Sequence, residues 1–397
     1  MTHVPLPRGF RAAGTYAGIK KPGRGFDLGV LIADEAFPAA AVFTQNALLG
    51  AHVHLCREHL AKNGGLVRAI VVNSGCANCA TGQRGIDDAR RTAEAVAERL
   101  GCPAEQVLPI STGAIGAHLP MEKILAALPD LIAAALGDPG DTDGVMDFTR
   151  AIMTTDTFPK LESATFEAAG GEGRVTGVAK GAGMIHPNMA TMLGFLTTDA
   201  ALPASAVEVL RETVDRTFHR VTVDGDTSPN DTVVLWASGL ATATDVELVD
   251  GALLDVASRL CKQIAADGEG ATRLVTVEVR GAASEADASH VGRTIATSPL
   301  TKTAVAGRDP NWGRILSAAG RAGVPIDIAK ARVWIGSTVL YEDGRPHPDR
   351  EPEASRHLAE EREVTLGVDL GVGDEGADVW TCDLTADYVR INADYRT

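Results

Sequence analysis

The chain has 397 residues, 45% of them hydrophobic and 22% charged, and its mean hydropathy is near zero. That is the makeup of a folded globular protein and excludes a largely disordered one. The formal net charge of −15 argues against nucleic acid or an anionic membrane as the main partner, since both select basic surfaces.

A chain of this length holds two or three domains, or one large core with an appendage. It opens on "MTHVPLPRGFRAAG", which has neither a signal-length apolar core nor an Arg-rich amphipathic pattern. The first clear element is "LVRAIVVNSG", a β-branched run that reads as a strand covered on both faces. Cys76 and Cys79 follow as a lone C-x-x-C, with no second cysteine pair or H-x-x-x-H to complete a zinc site. They read as small buried thiols, with redox exchange as the alternative. "IDDARRTAEAVAERLG" places Ala89, Ala93, Val96 and Leu100 on one helical face and stops at Gly101. "QVLPISTG" is a second strand. The longest apolar run, "ILAALPDLIAAALG", is interrupted by Pro129 and Asp130 and falls short of the roughly 18 residues of a membrane span. A soluble, cytoplasmic protein is expected.

Further strands are predicted at "RVTGVAKG", "TMLGFLTTD", "TVVLWASG" and "RLVTVEVRG". Between them lie two helices. "PASAVEVLRETVDRTF" carries Val207, Leu210, Val214 and Phe218 in one stripe, and "DGALLDVASRLCKQIAADG" is the other. From about residue 282 the character changes. "GAASEADASHVG" reads as a polar connector, "PNWGRILSAAGRAG" as a short helix, and the remainder as mostly strands. The expected division is a catalytic α/β region over 1–281, with a subdomain over about 203–281, and a smaller α+β domain over 282–397. Two motifs are set aside. "GVGDEG" at 371–376 matches G-x-G-x-x-G but has acids where phosphates would sit and no following helix, so a tight turn is expected. "DGDTSPND" at 224–231 has Pro229 where a calcium loop needs glycine; it is either an Asx-rich turn or an active-site wall.

Chemistry concentrates in "KGAGMIHPNMATMLGF" at 180–195. A threonine made N-terminal is a self-contained catalyst, its hydroxyl the nucleophile and its own α-amine the base. The α-amine titrates at about 7.7–8.0, near the operating pH of a general base. Thr191 qualifies only if the bond from Ala190 is first cut; Ala190 is small, and the glycines and Pro187 permit an unusual backbone path. His186 is assigned a structural role beside this hinge. "LPISTGAIG" at 108–116 is either a strand-end turn or an oxyanion site built from Thr112 and the Gly113 N–H.

"STGAIG", "KGAGMIHPNMATMLGF", "VDGDTSPNDT", "GEGATR", "GRDPNWGR" and the terminal "INADYRT" occur in the order found in the ArgJ family, which this chain resembles over essentially its whole length. These are the ornithine acetyltransferases, also called glutamate N-acetyltransferases, of arginine biosynthesis. The resemblance implies an N-terminal-nucleophile-like α/β sandwich with a small C-terminal domain, shared with certain aminopeptidases. It implies self-cleavage between Ala190 and Thr191 into α and β chains that stay together and pair into a heterotetramer. It places the nucleophile at Thr191, the oxyanion residues at Thr112 and Gly113, and substrate contacts at Thr154, Lys180, Thr191, Glu269, Asn392 and Thr397. Lys180 suits the α-carboxylate of an acetylated amino acid, and Glu269 the side-chain ammonium of ornithine. The Cys76–Cys79 pair departs from the family pattern without touching these positions.

The reaction so implied is ping-pong transfer of acetyl from N2-acetylornithine to glutamate through acetyl-Thr191. No metal or redox cofactor is expected, and acetyl-CoA is a further candidate co-substrate. The alternatives are an N-terminal-nucleophile aminopeptidase or amidase on the same scaffold, and a catalytically silent amino-acid-binding protein.

Overall fold

The computed structural model describes residues 4–137, 143–186, 192–202, 206–243 and 245–394. In chain order the first region contains β1 (Phe10–Thr15), β2 (Leu28–Phe43), α1 (Ala51–Lys62), β3 (Leu66–Cys76), α2 (Gly82–Leu100), β4 (Val107–Ala114), α3 (Met121–Ala135) and α4 (Asp143–Ile152). It continues with β5 (Lys160–Ala168), β6 (Gly171–Lys180), β7 (Leu193–Ala200), α5 (Ala206–Arg216), β8 (Thr232–Ala241) and α6 (Val246–Ala266).

These eight strands form one hydrogen-bonded path in the order β4-β3-β2-β8-β7-β6-β5, with β1 paired to the start of β2. The 16-residue β2 makes the path fold over. Its first part pairs with β3 (Leu28 opposite Asn73), its register slips between Ile32 and Phe37, and its last part pairs with β8 (Phe43 opposite Thr232). An irregularity of this kind bends a strand and lets it serve two layers. The two layers face each other across a shared core. Leu31, Ile70, Leu108 and Ile110 from one layer meet Val178, Phe195, Val234 and Trp236 from the other. Alternate residues point outward, where α2 and α3 cover one layer and α5 and α6 the other. The result is a four-layer α/β sandwich.

A second region begins with β9 (Leu274–Ala282), followed by α7 (Glu285–Ala296), α8 (Pro299–Ala306), α9 (Trp312–Gly320), β10 (Arg332–Ile335), β11 (Thr338–Glu342), β12 (Arg345–Pro346), α10 (Glu351–Glu360), β13 (Glu363–Asp369), β14 (Glu375–Cys382) and α11 (Ala386–Asp394). Its strands form a six-stranded sheet in the order β12-β11-β10-β13-β9-β14, with a core drawn from α7, α9 and α10.

Several sequence expectations change here. Of the stretch 203–281, α5, β8 and α6 belong to the sandwich while β9 is an inner strand of the second sheet, so that sheet begins at Leu274, upstream of residue 282. The expected polar connector is α7: the Ser284 side chain caps it by accepting from the Asp287 N–H, and Ala288, Val291 and Ile295 are buried. Helix α3 runs through Pro129. Val207 is exposed on α5, whose buried residues are Leu210, Thr213 and Val214. The terminal stretch read as strand ends in α11. "GVGDEG" makes the turn from β13 into β14, its last two residues, Glu375 and Gly376, opening β14. Among the described residues, no helix is long and apolar enough to cross a membrane.

Candidate active site

The site lies at one end of the sandwich, between the two layers. Inward-facing Leu108 and Ile110 on β4 share their face with Thr112, and inward-facing Val178 on β6 shares its face with Lys180. The two polar side chains therefore meet across the gap, Lys180 Nζ lying 3.4 Å from Thr112 Oγ1. Lys180 sits opposite Leu193 at the start of β7, and Leu193 sits opposite Thr232 at the start of β8. The ends of β4 and β6 and the starts of β7 and β8 thus meet at one cleft of about 860 Å³, its open mouth included.

Thr112, Gly113, Thr154, Lys180, Glu269 and Asn392 all line this cleft, beside Met192 and Leu193. Ala190, Thr191 and Thr397 lie outside the described residues. Gly113 has φ +129°, and a Cβ there would come within 2.4 Å of the Gly75 carbonyl carbon, so only glycine fits this bend. Glu269 closes the far wall and accepts 2.8 Å from Asn392 Nδ2 on α11. A Cβ on Gly183 would strike the Glu269 carboxyl carbon at 2.4 Å; glycine lets that carboxylate lie flush against the turn.

"DGDTSPND" is the cleft wall. Asp224, Asp226, Ser228, Asn230 and Asp231 all line it. Asp224 also ties down the turn before His186: its Oδ2 accepts from Met184 N at 2.6 Å and its Oδ1 from Ile185 N at 2.9 Å. Asn230 bridges the two layers, donating from Nδ2 to the Ala77 carbonyl at 2.6 Å and to the Ser111 carbonyl at 2.7 Å. It thereby fixes the strand end that presents Thr112.

Behind Lys180 is a buried ionic network that the sequence did not reveal. Lys160 Nζ donates to Asp156 Oδ1 at 2.7 Å and to Asp267 Oδ2 at 2.5 Å. Asp156 also accepts from Gly181 N at 2.7 Å and Thr154 N at 2.9 Å, gripping the backbone on which Lys180 and Thr154 sit. Burial works against ionisation of Asp156, but Lys160 and Lys180 overcome it and hold its carboxyl well below the usual range. Burial lowers the Lys180 ammonium, and the charges of Asp156 and Asp231 push it back up. Burial raises Asp231 well above the ordinary carboxyl range despite nearby Lys180.

His186 is held on both ring nitrogens. Nδ1 lies 3.1 Å from Thr222 Oγ1, Arg293 Nη2 donates to Nε2 at 3.0 Å, and Thr227 Oγ1 donates to its carbonyl at 2.8 Å. Burial and then the Arg293 charge lower its pKa to about 4, so it is a neutral anchor at pH 7. Cys76 and Cys79 are buried free thiols, both raised by burial and so far from thiolate character.

Among the described lining residues Lys180 is the one basic side chain, facing Asp224, Asp226, Asp231 and Glu269. A cleft with one cation at one wall and several carboxylates at the other is complementary to an amino acid that carries both charges. The ArgJ family profile matches residues 11–397. The arginine biosynthesis bifunctional protein ArgJ of Parasynechococcus marenigrum is 46% identical over 99% of this chain and 95% of its own length. The protein of that name from Thermus thermophilus is 48% identical over 99% of this chain and 100% of its own length. A crystal structure of arginine biosynthesis bifunctional protein ArgJ from Bacillus halodurans is 43% identical, covering 51% of this chain and 98% of that one with a TM-score of 0.49. With a profile match and full-length relatives of this similarity, the chain belongs to the ArgJ family.

Proposed function

We propose that this protein is an acyltransferase of arginine biosynthesis, moving the acetyl group of N2-acetyl-L-ornithine to L-glutamate in the cytoplasm. The chain first cuts itself between Ala190 and Thr191, and the pieces 1–190 and 191–397 stay associated and pair into a heterotetramer. The new α-amine of Thr191 takes the proton of its own hydroxyl as the hydroxyl oxygen bonds to the acetyl carbon. Thr112 and Gly113 donate to the oxyanion that forms. The amide C–N bond then breaks, ornithine leaves with the proton, and an acetyl ester remains on Thr191. The amine of glutamate attacks that ester in the mirror sequence and restores the free threonine. Lys180 pairs the substrate carboxylate, Glu269 the ornithine ammonium, and Thr154, Asn392 and Thr397 complete the substrate contacts. No metal or redox cofactor enters these steps, and acetyl-CoA is a second acetyl donor to be tried.

The observation that carries this reading is the convergence of Thr112, Gly113, Thr154, Lys180, Glu269 and Asn392 on one cleft bordered by Met192, the residue after Thr191. Intact-mass measurement of the purified protein, joined to an acetylornithine-plus-glutamate assay with and without acetyl-CoA, tests it. Thr191→Ala should stay uncut and inactive; an active Thr191→Ala protein overturns the reading. Release of free acetate in place of N-acetylglutamate would instead indicate an amidase.

A further inference from the structure

Arg293, on α7 of the second region, is a charged side chain that the reaction above leaves without a task. It is only partly exposed, and burial lowers its guanidinium pKa with no carboxylate offsetting the loss. Among the described residues its side-chain hydrogen bond goes instead to an imidazole, His186 Nε2, at 3.0 Å. A guanidinium carries five donors and no acceptor, and it stays charged at any working pH. Nε2 must therefore accept, and in a neutral ring the proton then belongs to Nδ1. Thr222 Oγ1, 3.1 Å from Nδ1, accepts that N–H and donates its own hydroxyl to the Ile185 carbonyl at 3.0 Å. The hydrogen bonds thus run in one direction, from Arg293 through His186 and Thr222 to Ile185. A water or an amide in place of Arg293 could either donate or accept, and would leave the tautomer open.

Ile185 ends the turn that forms one wall of the cleft. Its carbonyl also accepts from Val223 N at 2.7 Å, and Ala182, three residues earlier, accepts from Glu269 N at 2.9 Å. Gly183 lies flush against the Glu269 carboxyl, and Met184, held at φ +54°, lines the cleft beside it. A left-handed φ is strained at methionine and persists only where surrounding bonds fix it. Asp224 grips this turn by two N–H groups, and the chain from Arg293 grips it by its last carbonyl. We infer that Arg293 is a positioning residue for the Met184–Glu269 wall, holding it from the second region by locking His186 as the Nδ1–H tautomer. On the acetyltransfer reading above, on which this rests, that wall pairs the ornithine ammonium. Arg293 therefore serves the acetylornithine half of the reaction and not the glutamate half.

The imidazole passes this direction on because one ring nitrogen accepting leaves the other to donate. An imidazolium would break the chain, since Nε2–H would then point at the guanidinium, charge against charge. Burial and the Arg293 charge both oppose that state, while nearby Asp226 favours it. The acids that share a groove with Arg293 are engaged elsewhere. Asp215 bonds to His219 Nδ1 at 2.6 Å, and Glu285 accepts from Arg220. The guanidinium is thus left to the imidazole, which a carboxylate within reach would have displaced as the stronger acceptor.

The test is Arg293→Met in the full chain, followed by steady-state kinetics with acetylornithine and glutamate. In ping-pong transfer, kcat/KM for each substrate reports its own half-reaction. The expected result is a fall of about tenfold or more in kcat/KM for acetylornithine, in line with loss of one charge-assisted hydrogen bond, with kcat/KM for glutamate within about threefold of wild type. Arg293→Lys, which keeps a charged donor, should recover most of the loss. Thr222→Val cuts the chain one link further on and should show the same split; it also serves if Arg293→Met fails to fold. Nitrogen NMR of histidine-labelled wild type should show His186, assigned by its absence from His186→Gln, with the proton on Nδ1 and a bare Nε2. A proton on Nε2 overturns the inference, as do equal losses for both substrates, no loss for either, or an Arg293→Lys protein no better than Arg293→Met. A wild type that moves no acetyl group to glutamate would remove the underlying reading instead, and the NMR result would still decide the tautomer.

Discussion

Replacing Lys160 with methionine tests whether the network behind the cleft is held by its central charge. The Lys160 and Asp156 side chains are fully buried and that of Asp267 is 2% exposed. Methionine fills similar space but leaves two buried carboxylates facing each other. Backbone donors soften the loss: Thr154 and Gly181 remain on Asp156, and Thr157 on Asp267. Breaking a buried ion pair by removing one partner typically costs about 3–5 kcal/mol. With an unfolding entropy of about 2.1 cal/mol/K per residue, a chain of 397 residues has about 0.8 kcal/mol/K in total, so about 4 kcal/mol lowers the melting temperature by about 5 °C. Calorimetry at pH 7 measures this directly. The gap to wild type should narrow in acid, because a proton on either carboxyl relieves the repulsion that Lys160 no longer offsets. A variant that melts within about 1 °C of wild type at pH 7 would refute the view that Lys160 neutralises this pair.

The depressed Asp156 carboxyl makes a pH prediction with a definite sign. Its folded pKa lies below the unfolded value of about 3.9, so its stabilisation is complete above that value and is lost as pH falls further. Melting curves of wild type and Asp156→Asn should therefore converge below about pH 4; a constant gap down to pH 3 would contradict this assignment. Gly113→Ala should lower kcat by about 100-fold or more, because a Cβ 2.4 Å from the Gly75 carbonyl carbon must push the oxyanion strand away from β3. Steady-state kinetics with wild-type kcat would show that the bend at residue 113 has no part in the chemistry.

The main strands were legible because they are β-branched runs buried on both faces, as in Val71–Val72 and Val233–Leu235. Helix α7 was not, because its Ala- and Ser-rich surface resembles a linker, although Ser284 followed by Glu285 and Asp287 is a start signal that could have found it. The site residues came mostly from the resemblance to a family, and the structure brings six of them to one cleft. Asp156, Lys160 and Asp267 escaped for a physical reason. A lone acid or lysine in "MTTDTFPK" or "AADGEG" reads as a solvated charge until the fold brings residues 107 positions apart into contact. Asn230 and Asp231 lay inside a stretch already suspected as a wall, but sequence gives no means of telling which of its polar side chains the fold buries.

The strand order has a consequence for the cut protein. β7 and β8 come after residue 191 yet lie between β2 and β6, which come before residue 190. The two pieces of a processed chain are therefore threaded through one another, joined along two separate ladders, β2–β8 and β6–β7. Separating them would require melting the sandwich, so dilution should not dissociate them in the way it dissociates ordinary subunits. Each piece made alone would carry raw sheet edges where the other belongs, and such edges invite aggregation. Synthesis as one polypeptide, with the cut deferred until the sheet is built, removes that hazard.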